Sequence, residues 1–126
     1  MKPVHTEAEH ASDLLELAHS IVDALEQKKG EDILLLDLAG IASFTNMFVI
    51  CSGGSERTLR ALSNEVRRAI KEKYSLRPLQ VEGESASGWI LLDYGGVILH
   101  LFSPDRRDYY ALEQLWADGR VMLRMA

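Results

Sequence analysis

Hydrophobic residues recur along this chain at two spacings, one typical of helices and one typical of strands. From about residue 7 to about residue 28 the apolar positions repeat every three or four residues, as Leu14, Ala18, Ile21 and Leu25. This period predicts an amphipathic helix with one buried face. The runs 33–38 and 47–52 that follow are almost wholly apolar, which is typical of strands covered on both faces.

Turn and capping residues mark the elements in the middle of the chain. Ser55 follows Gly53-Gly54 and is a residue type that caps helices. The apolar spacing after it predicts a second helix at about residues 56–73. A short strand is predicted at 78–83.

The last third of the chain contains a predicted β-hairpin and a last helix. Two apolar strands flank Gly95-Gly96 within residues 89–102. Glycine tolerates positive φ at both central positions of a two-residue turn, so this segment predicts a hairpin. Ser103-Pro104 then opens a helix, because proline suits the first helical turn.

The predicted order is helix, strand, strand, helix, strand, strand, strand, helix, without repeats or long linkers. It indicates a single α/β domain over residues 1–126, with its core at about 10–118. We expect three main helices packed on a five-stranded sheet. The sheet should be mixed, because a helical crossover permits parallel pairing and the hairpin requires antiparallel pairing. If all three helices lie on one face or at the edges, part of the hairpin is left for solvent or a partner.

Charge and cysteine content narrow the classes of function. The formal net charge of -5 disfavours binding to bulk nucleic-acid phosphate and favours a basic protein partner. The single cysteine, Cys51, has no partner for an internal disulfide, and the chain begins with acidic positions in place of a signal-peptide pattern. No apolar run approaches the ~20 residues that span a bilayer. We therefore expect a cytoplasmic protein that does not bind membranes.

One catalytic interpretation rests on Gly53-Gly54-Ser55. These residues lie between a strand and a helix, where backbone N–H groups attract phosphate, so a nucleotide-binding enzyme is the alternative function. Nucleotidyltransferases hold magnesium on two carboxylates in a D-x-D pattern shortly downstream. That stretch is Asn64-Glu65-Val66-Arg67-Arg68 here, so the catalytic pair is missing.

A second catalytic interpretation rests on a thiol. Cys51, His100 and Asp93 are the residue types of a nucleophile, a base and an orienting carboxylate. A lone cysteine in an apolar strand is more often a small core residue. The histidines are too scattered to define a metal site. We expect neither a metal nor a cofactor, and no enzymatic activity.

The first hairpin strand presents two different faces. Trp89, Leu91 and Asp93 alternate with Ile90, Leu92 and Tyr94. An aspartate in a row with Trp89 is costly to bury unless it accepts hydrogen bonds, so this row is the better candidate for a recognition surface. The other interpretation is that Trp89 only packs and that Asp93 caps a neighbouring backbone.

Several motifs occur in a fixed order along the chain. They are Phe48-Val49-Ile50-Cys51-Ser52-Gly53 with Ser55 and Arg57, Val81-Glu82-Gly83, Gly88-Trp89-Ile90-Leu91-Leu92-Asp93-Tyr94-Gly95 with His100-Leu101-Phe102, and Arg107, Tyr110, Leu112-Glu113 and Leu115-Trp116. With these motifs the chain resembles the ribosomal silencing factors, also called Iojap-related proteins, from about Leu14 to Asp118.

The resemblance implies a nucleotidyltransferase-like fold without the catalytic carboxylates. It also implies binding to the large ribosomal subunit through ribosomal protein L-fourteen, a basic-surfaced protein at the subunit interface. A factor bound there would block joining of the small subunit and lower translation when nutrients are scarce, by steric inhibition. By similarity the contact falls on Trp89, Leu91, Asp93, Tyr94, His100, Arg107 and Tyr110.

Two further expectations come with the resemblance. Members of the family often self-associate, so we expect a homodimer when the protein is free, and no specific contact with nucleic acid. Two positions depart from the usual family pattern, since Gly96 and Asn46 stand where an aspartate is common. Each change removes a carboxylate without removing the apolar part of the surface.

Overall fold

The computed structural model describes residues 7–126, with side chains from residue 12 onward, so His5 and His10 lie outside the described side chains. Six strands form one mixed sheet in the order β3-β4-β5-β2-β1-β6. The elements, in chain order, are α1 Glu7–Gln27, β1 Glu31–Asp37, β2 Met47–Ser52, α2 Glu56–Tyr74, β3 Gln80–Glu84, β4 Trp89–Asp93, β5 Val97–Phe102, α3 Pro104–Tyr110, α4 Leu112–Leu115 and β6 Arg120–Met125.

The α/β class, the mixed sheet and the three main helices are confirmed, but the predicted number of strands is wrong. The sheet has six strands because β6 pairs antiparallel with β1 at one edge. Arg120 and Arg124 interrupt the apolar pattern of β6, and both side chains are exposed. An exposed edge strand needs no continuous apolar run, so hydrophobic spacing did not reveal it.

The helices begin where the capping residues predict. Ser55 has an extended backbone, and its Oγ accepts a hydrogen bond of 3.0 Å from the Thr58 N–H at the start of α2. Ser103 caps α3 in the same way, with Pro104 in the first turn. No helix in the described part of the chain has the length and apolar character needed to cross a membrane.

The two faces of the sheet are covered unequally. Helices α1 and α2 pack on the first face and bury side chains of every central strand, among them Leu35, Val49, Leu92 and Leu99. The second face carries a smaller core of Leu34, Leu36, Leu38, Phe48, Ile50, Ile98 and Phe102. The short helices and the loop between β1 and β2 contribute only partly buried cover there, including Leu112, Trp116 and Ala42. Although α3 lies on this second face and not with the two long helices, Trp89, Leu91 and Asp93 of β4 stay partly exposed there.

The hairpin turn uses only one of its glycines for positive φ. Gly95 has φ +88°, whereas Gly96 lies outside the left-handed region, so the prediction of positive φ at both positions is wrong. The Tyr94 N–H donates to the Val97 carbonyl at 2.9 Å and closes the turn. A Cβ at Gly96 would overlap the Leu14 side chain, so this glycine allows α1 to pack closely on the turn.

Gly83 in β3 provides a test of the strand pairing. Its φ is +79°, and an added Cβ would collide with the Trp89 carbonyl oxygen on β4. We predict that Gly83→Ala lowers the free energy of unfolding by about 2 kcal/mol or more, because left-handed backbone strain and the collision add. Gly54→Ala is the matched control, since nothing lies within 4 Å of its added Cβ and its φ is not positive. Equilibrium urea unfolding of both variants measures the difference. Equal stabilities would contradict the pairing at Gly83.

Candidate protein-binding surface

The exposed part of the second face lies on β4, next to the buried strand β5. Trp89, Leu91 and Asp93 are each partly exposed, whereas Ile90 and Leu92 between them are buried. This alternation is the one that the sequence predicts. Neither α1 nor α2 reaches this side, and the cover from α3 and α4 ends beside Trp89.

Flat side chains stack across this part of the sheet. The Trp89 ring lies parallel to those of His100 and Phe102, with centroids 6.3 Å and 6.2 Å away and interplanar angles of 6° and 8°. Strand register explains the stack, because Trp89 pairs with Phe102 and Leu91 with His100. Tyr110 at the end of α3 lies 5.6 Å from Trp89 between ring centroids and is 44% exposed. We call Trp89, Leu91, His100, Phe102 and Tyr110 the aromatic face.

His100 is a buried member of the aromatic face and holds the Trp89 ring in place. It is buried, and its Nδ1 accepts a hydrogen bond of 3.4 Å from Trp89 Nε1–H. Phe48 meets the ring edge to face at 4.6 Å between centroids. Burial lowers the pKa of His100 to about 4, because desolvation disfavours the charged imidazolium. The ring is therefore neutral at physiological pH and acts as a rigid aromatic support.

Asp93 has a local hydrogen-bonding role. Its Oδ1 accepts a hydrogen bond of 2.7 Å from the Gly95 N–H, so the carboxylate caps the hairpin turn. This capping role is the second interpretation of Asp93 in the sequence analysis. The side chain is also partly exposed beside Leu91, so its charge contributes to the rim of the aromatic face.

Arg107 lies in the interior and not on the aromatic face. Only 6% of it is exposed. Its Nη1 donates to Ser52 Oγ at 2.8 Å and to the Asp32 carbonyl, and its Nε donates to the Glu113 carboxylate. These bonds join α3 to β1, β2 and α4. The guanidinium is thus a structural tie.

Tyr94 is also separated from the other predicted contact residues. Its ring packs on the first face, beside Leu14, Leu17 and Tyr74. Burial raises its pKa to about 12. The structure therefore brings together Trp89, Leu91, Asp93, His100 and Tyr110, and it sets Tyr94 and Arg107 apart.

Acidic residues on β3 form a rim that the sequence analysis missed. Glu82 pairs with Leu91 and Glu84 pairs with Trp89, and directly opposed residues project from the same face of a sheet. Both carboxylates are exposed. With Asp93 they form what we call the acidic rim of the aromatic face. The alternation of polar residues within 80–84 is the sequence signal that points to it.

The residues proposed for catalysis do not come together. Cys51 is fully buried on the first face, and burial raises its thiol pKa to about 12. His100 and Asp93 lie on the second face, so the sheet separates them from the thiol. Ser55 uses its hydroxyl to cap α2. Within the described residues, no three His, Cys, Asp or Glu side chains are grouped closely enough to hold a metal ion.

Known proteins are similar to this chain in both sequence and fold. A family model described as ribosomal silencing factor during starvation matches residues 11–125. Ribosomal silencing factor RsfS of Halalkalibacterium halodurans is 37% identical over 107 residues, which cover 85% of this chain and 88% of that protein. The mouse protein named mitochondrial assembly of ribosomal large subunit protein 1 is 34% identical over 98 residues, or 76% of this chain and 43% of the mouse protein.

The architecture agrees with these matches. A crystal structure of a Chromobacterium violaceum protein superimposes with a TM-score of 0.78 and 35% sequence identity, covering 82% of this chain and 85% of that one. The family model spans nearly the whole length that the structure describes. The chain therefore belongs to the family of ribosomal silencing factors.

Proposed function

We propose that this protein represses translation by binding the large ribosomal subunit in the cytoplasm and blocking the small subunit from joining it. The contact is made through ribosomal protein L-fourteen, and the protein acts when nutrients are limiting. It works by occupying a surface and has no catalytic turnover. The name of the mouse relative, which refers to assembly of the large subunit, supports the choice of target.

The aromatic face with its acidic rim is the observation that carries this proposal. Trp89, Leu91 and Tyr110 offer apolar area that the chain's own helices leave partly exposed. Protein interfaces concentrate aromatic anchors of this kind, surrounded by polar groups. Glu82, Glu84 and Asp93 add negative charge along one side. A partner with an apolar patch and basic surroundings complements both features, which fits a basic ribosomal protein.

Rigidity of the face supports a steric mechanism. The stacked rings of Trp89, His100 and Phe102 rest on a buried strand, β5, so the face is formed before any partner arrives. A preformed surface loses little conformational entropy on binding. Inhibition then requires only that the bound protein occupies space needed by the small subunit. Its strength is set by occupancy of the large subunit.

The nucleotidyltransferase-like origin of the fold belongs to the same proposal. On this view Gly53-Gly54-Ser55 keeps the position of a phosphate-binding turn, but it now serves as a turn and a helix cap. Asn64 and Arg67 occupy the stretch where the magnesium-binding carboxylates would lie. The alternative of a nucleotide-binding enzyme lacks this acidic pair. The separate thiol interpretation lacks a reactive thiol, because Cys51 is buried.

Leu91→Arg tests the contact surface. Leu91 is only half-buried, so the change is compatible with folding, but it places a cation at the centre of a surface proposed to meet a basic partner. We predict at least about 30-fold weaker binding to isolated large subunits, the loss typical of an interface hot spot. Co-sedimentation over a range of protein concentrations measures it.

Val121→Arg is the matched control for this test. Val121 is 54% exposed on β6, at the opposite edge of the sheet from β3 and β4. The substitution makes the same change of charge and should leave subunit binding unchanged. Equal binding by the wild type and Leu91→Arg would contradict the proposed surface, as would equal losses in the two variants.

Neutralising the acidic rim tests the charge of the partner. We predict that the double variant Glu82→Gln, Glu84→Gln associates with purified ribosomal protein L-fourteen more slowly, by up to about tenfold at low salt, because rim charges mainly speed diffusional encounter. The difference should shrink as salt is added. Stopped-flow association rates measure both effects. A rate that rises on neutralisation would show that the partner surface is not basic.

We also propose that the free protein masks its aromatic face in a homodimer. An exposed apolar patch beside polar residues favours self-association through a two-fold contact. Sedimentation equilibrium should give a dimer for the wild type and a monomer for Leu91→Arg, because two arginines would meet near the symmetry axis. A wild-type monomer at high protein concentration would contradict this part of the proposal.

A further inference from the structure

The exposed side of α2 carries a continuous row of cations. Successive helical residues are about 100° apart, so Arg57, Arg60, Arg67 and Lys71 fall within an arc of about 80°. All four are exposed, and the polar Asn64 lies between them on the same arc. We call Arg57, Arg60, Arg67 and Lys71 the basic stripe. At about 1.5 Å per residue it is about 21 Å long.

The carboxylates of α2 are arranged so that they leave this stripe uncompensated. Glu65 and Glu72 lie on the flank of the helix away from the stripe, where both pair with Arg68 at 2.5 Å. Glu56 flanks the first turn. None of the ion pairs formed among the described residues involves a cation of the stripe. The stripe thus opposes the net charge of -5 that the chain carries as a whole.

The stripe runs beside the edge strand β3. Near its start, Arg60 Nη2 donates to Ser85 Oγ at 3.5 Å, just after β3. Near its end, Arg67 and Lys71 share with Arg77 a cleft of about 330 Å³ whose apolar wall is Pro78 and Val81. Arg77 therefore extends the basic surface.

Alternation along β3 keeps the two charges of this region apart. Val81 pairs with the buried Leu92 and projects toward α2, whereas Glu82 and Glu84 project to the second face. The edge of the sheet consequently separates an acidic, apolar surface from a basic one. Each surface suits a different partner.

We infer that the basic stripe binds the phosphate backbone of RNA. Clustered Lys and Arg side chains bind nucleic-acid backbones by neutralising phosphates and releasing counterions, without reading sequence. The inference rests on the proposed function, because a protein bound to a ribosomal protein at the subunit surface has ribosomal RNA beside it. The aromatic face then contacts protein while the stripe contacts phosphate across the β3 edge.

The structure favours RNA over an anionic membrane as the partner of the stripe. Helices that bind membrane surfaces insert an apolar face beside their basic residues. The large aliphatic residues of α2, Leu59, Leu62, Val66 and Ile70, are all buried against the sheet and α1. The helix therefore has no aliphatic face free to insert.

The test uses the triple variant Arg60→Gln, Arg67→Gln, Lys71→Gln and a labelled RNA hairpin with a stem of about 20 base pairs, long enough to span the stripe. Fluorescence anisotropy at increasing KCl gives the slope of log K against log salt. We expect the wild type to bind at low salt, and the variant to lose about one unit of slope per phosphate contact removed, or about three units if all three cations bind.

A control variant with the same net charge is Lys73→Gln, Arg120→Gln, Arg124→Gln. Lys73 lies on the α1 side of α2, and the two arginines lie on β6 at the far edge of the sheet. This variant should keep the wild-type slope. An equal loss of slope in both triple variants would overturn the inference, since it would reflect overall charge alone.

Two other outcomes would also overturn the inference. One is a wild-type protein that does not bind the hairpin at low salt, and the other is binding to phosphatidylglycerol vesicles in place of RNA. Leu91→Arg separates this inference from the proposed function. This variant should still bind the RNA hairpin but should no longer bind large ribosomal subunits. Suppose that Leu91→Arg loses large-subunit binding and that the wild type does not bind the RNA hairpin. That result would support the proposed function and would overturn only the RNA contact.

Discussion

A single buried guanidinium determines how the second face of this sheet is covered. Arg107 donates to Ser52 Oγ, to the Asp32 carbonyl and to the Glu113 carboxylate, and so ties α3 to the ends of β1 and β2 and to α4. A buried cation costs several kcal/mol unless it is paired, so these partners must remain where they are. Tyr110, three residues further along α3, is therefore held against Trp89.

The aromatic face follows from this arrangement and from the unequal lengths of the helices. Two long helices bury the central strands of the first face, but the second face is covered only by two short helices, of which α3 ends at Tyr110. Strand register then stacks Trp89, Phe102 and His100 on what remains, and β3 lines its margin with carboxylates. The same register turns Val81 toward α2, where the cations of the basic stripe are exposed. One edge strand thus separates two surfaces of opposite charge.

Local signals in the sequence predict the parts of the fold that depend on neighbouring residues. Apolar spacing and the capping residues Ser55 and Ser103 correctly predicted the helices, and the bounds of β2 agree residue by residue. The alternation of β4 correctly separated Leu91 from Leu92. The same alternation assigned Tyr94 to the side of Leu92, whereas the family resemblance grouped Tyr94 with the contact residues. In the structure Tyr94 packs on the first face, on the side of Leu92, as the alternation predicts.

Features that depend on distant partners were not predictable in this way. β6 is recognisable only through its pairing with β1, because its arginines interrupt the apolar pattern. Arg107 has the sequence context of a solvated helix, and its burial depends on Asp32 and Ser52, which lie far away in the chain. The acidic rim needs the register between β3 and β4 before Glu82 and Glu84 can be assigned to the side of Trp89.

Repression by this mechanism requires that the bound protein excludes the small subunit. The decisive measurement is an order-of-addition experiment in which large subunits are saturated with the protein, small subunits are added, and joined particles are separated by sedimentation. We predict that joined particles decrease in proportion to the large subunits occupied, and that no joined particle carries the protein. Joined particles that form in normal yield with the protein still bound would contradict it.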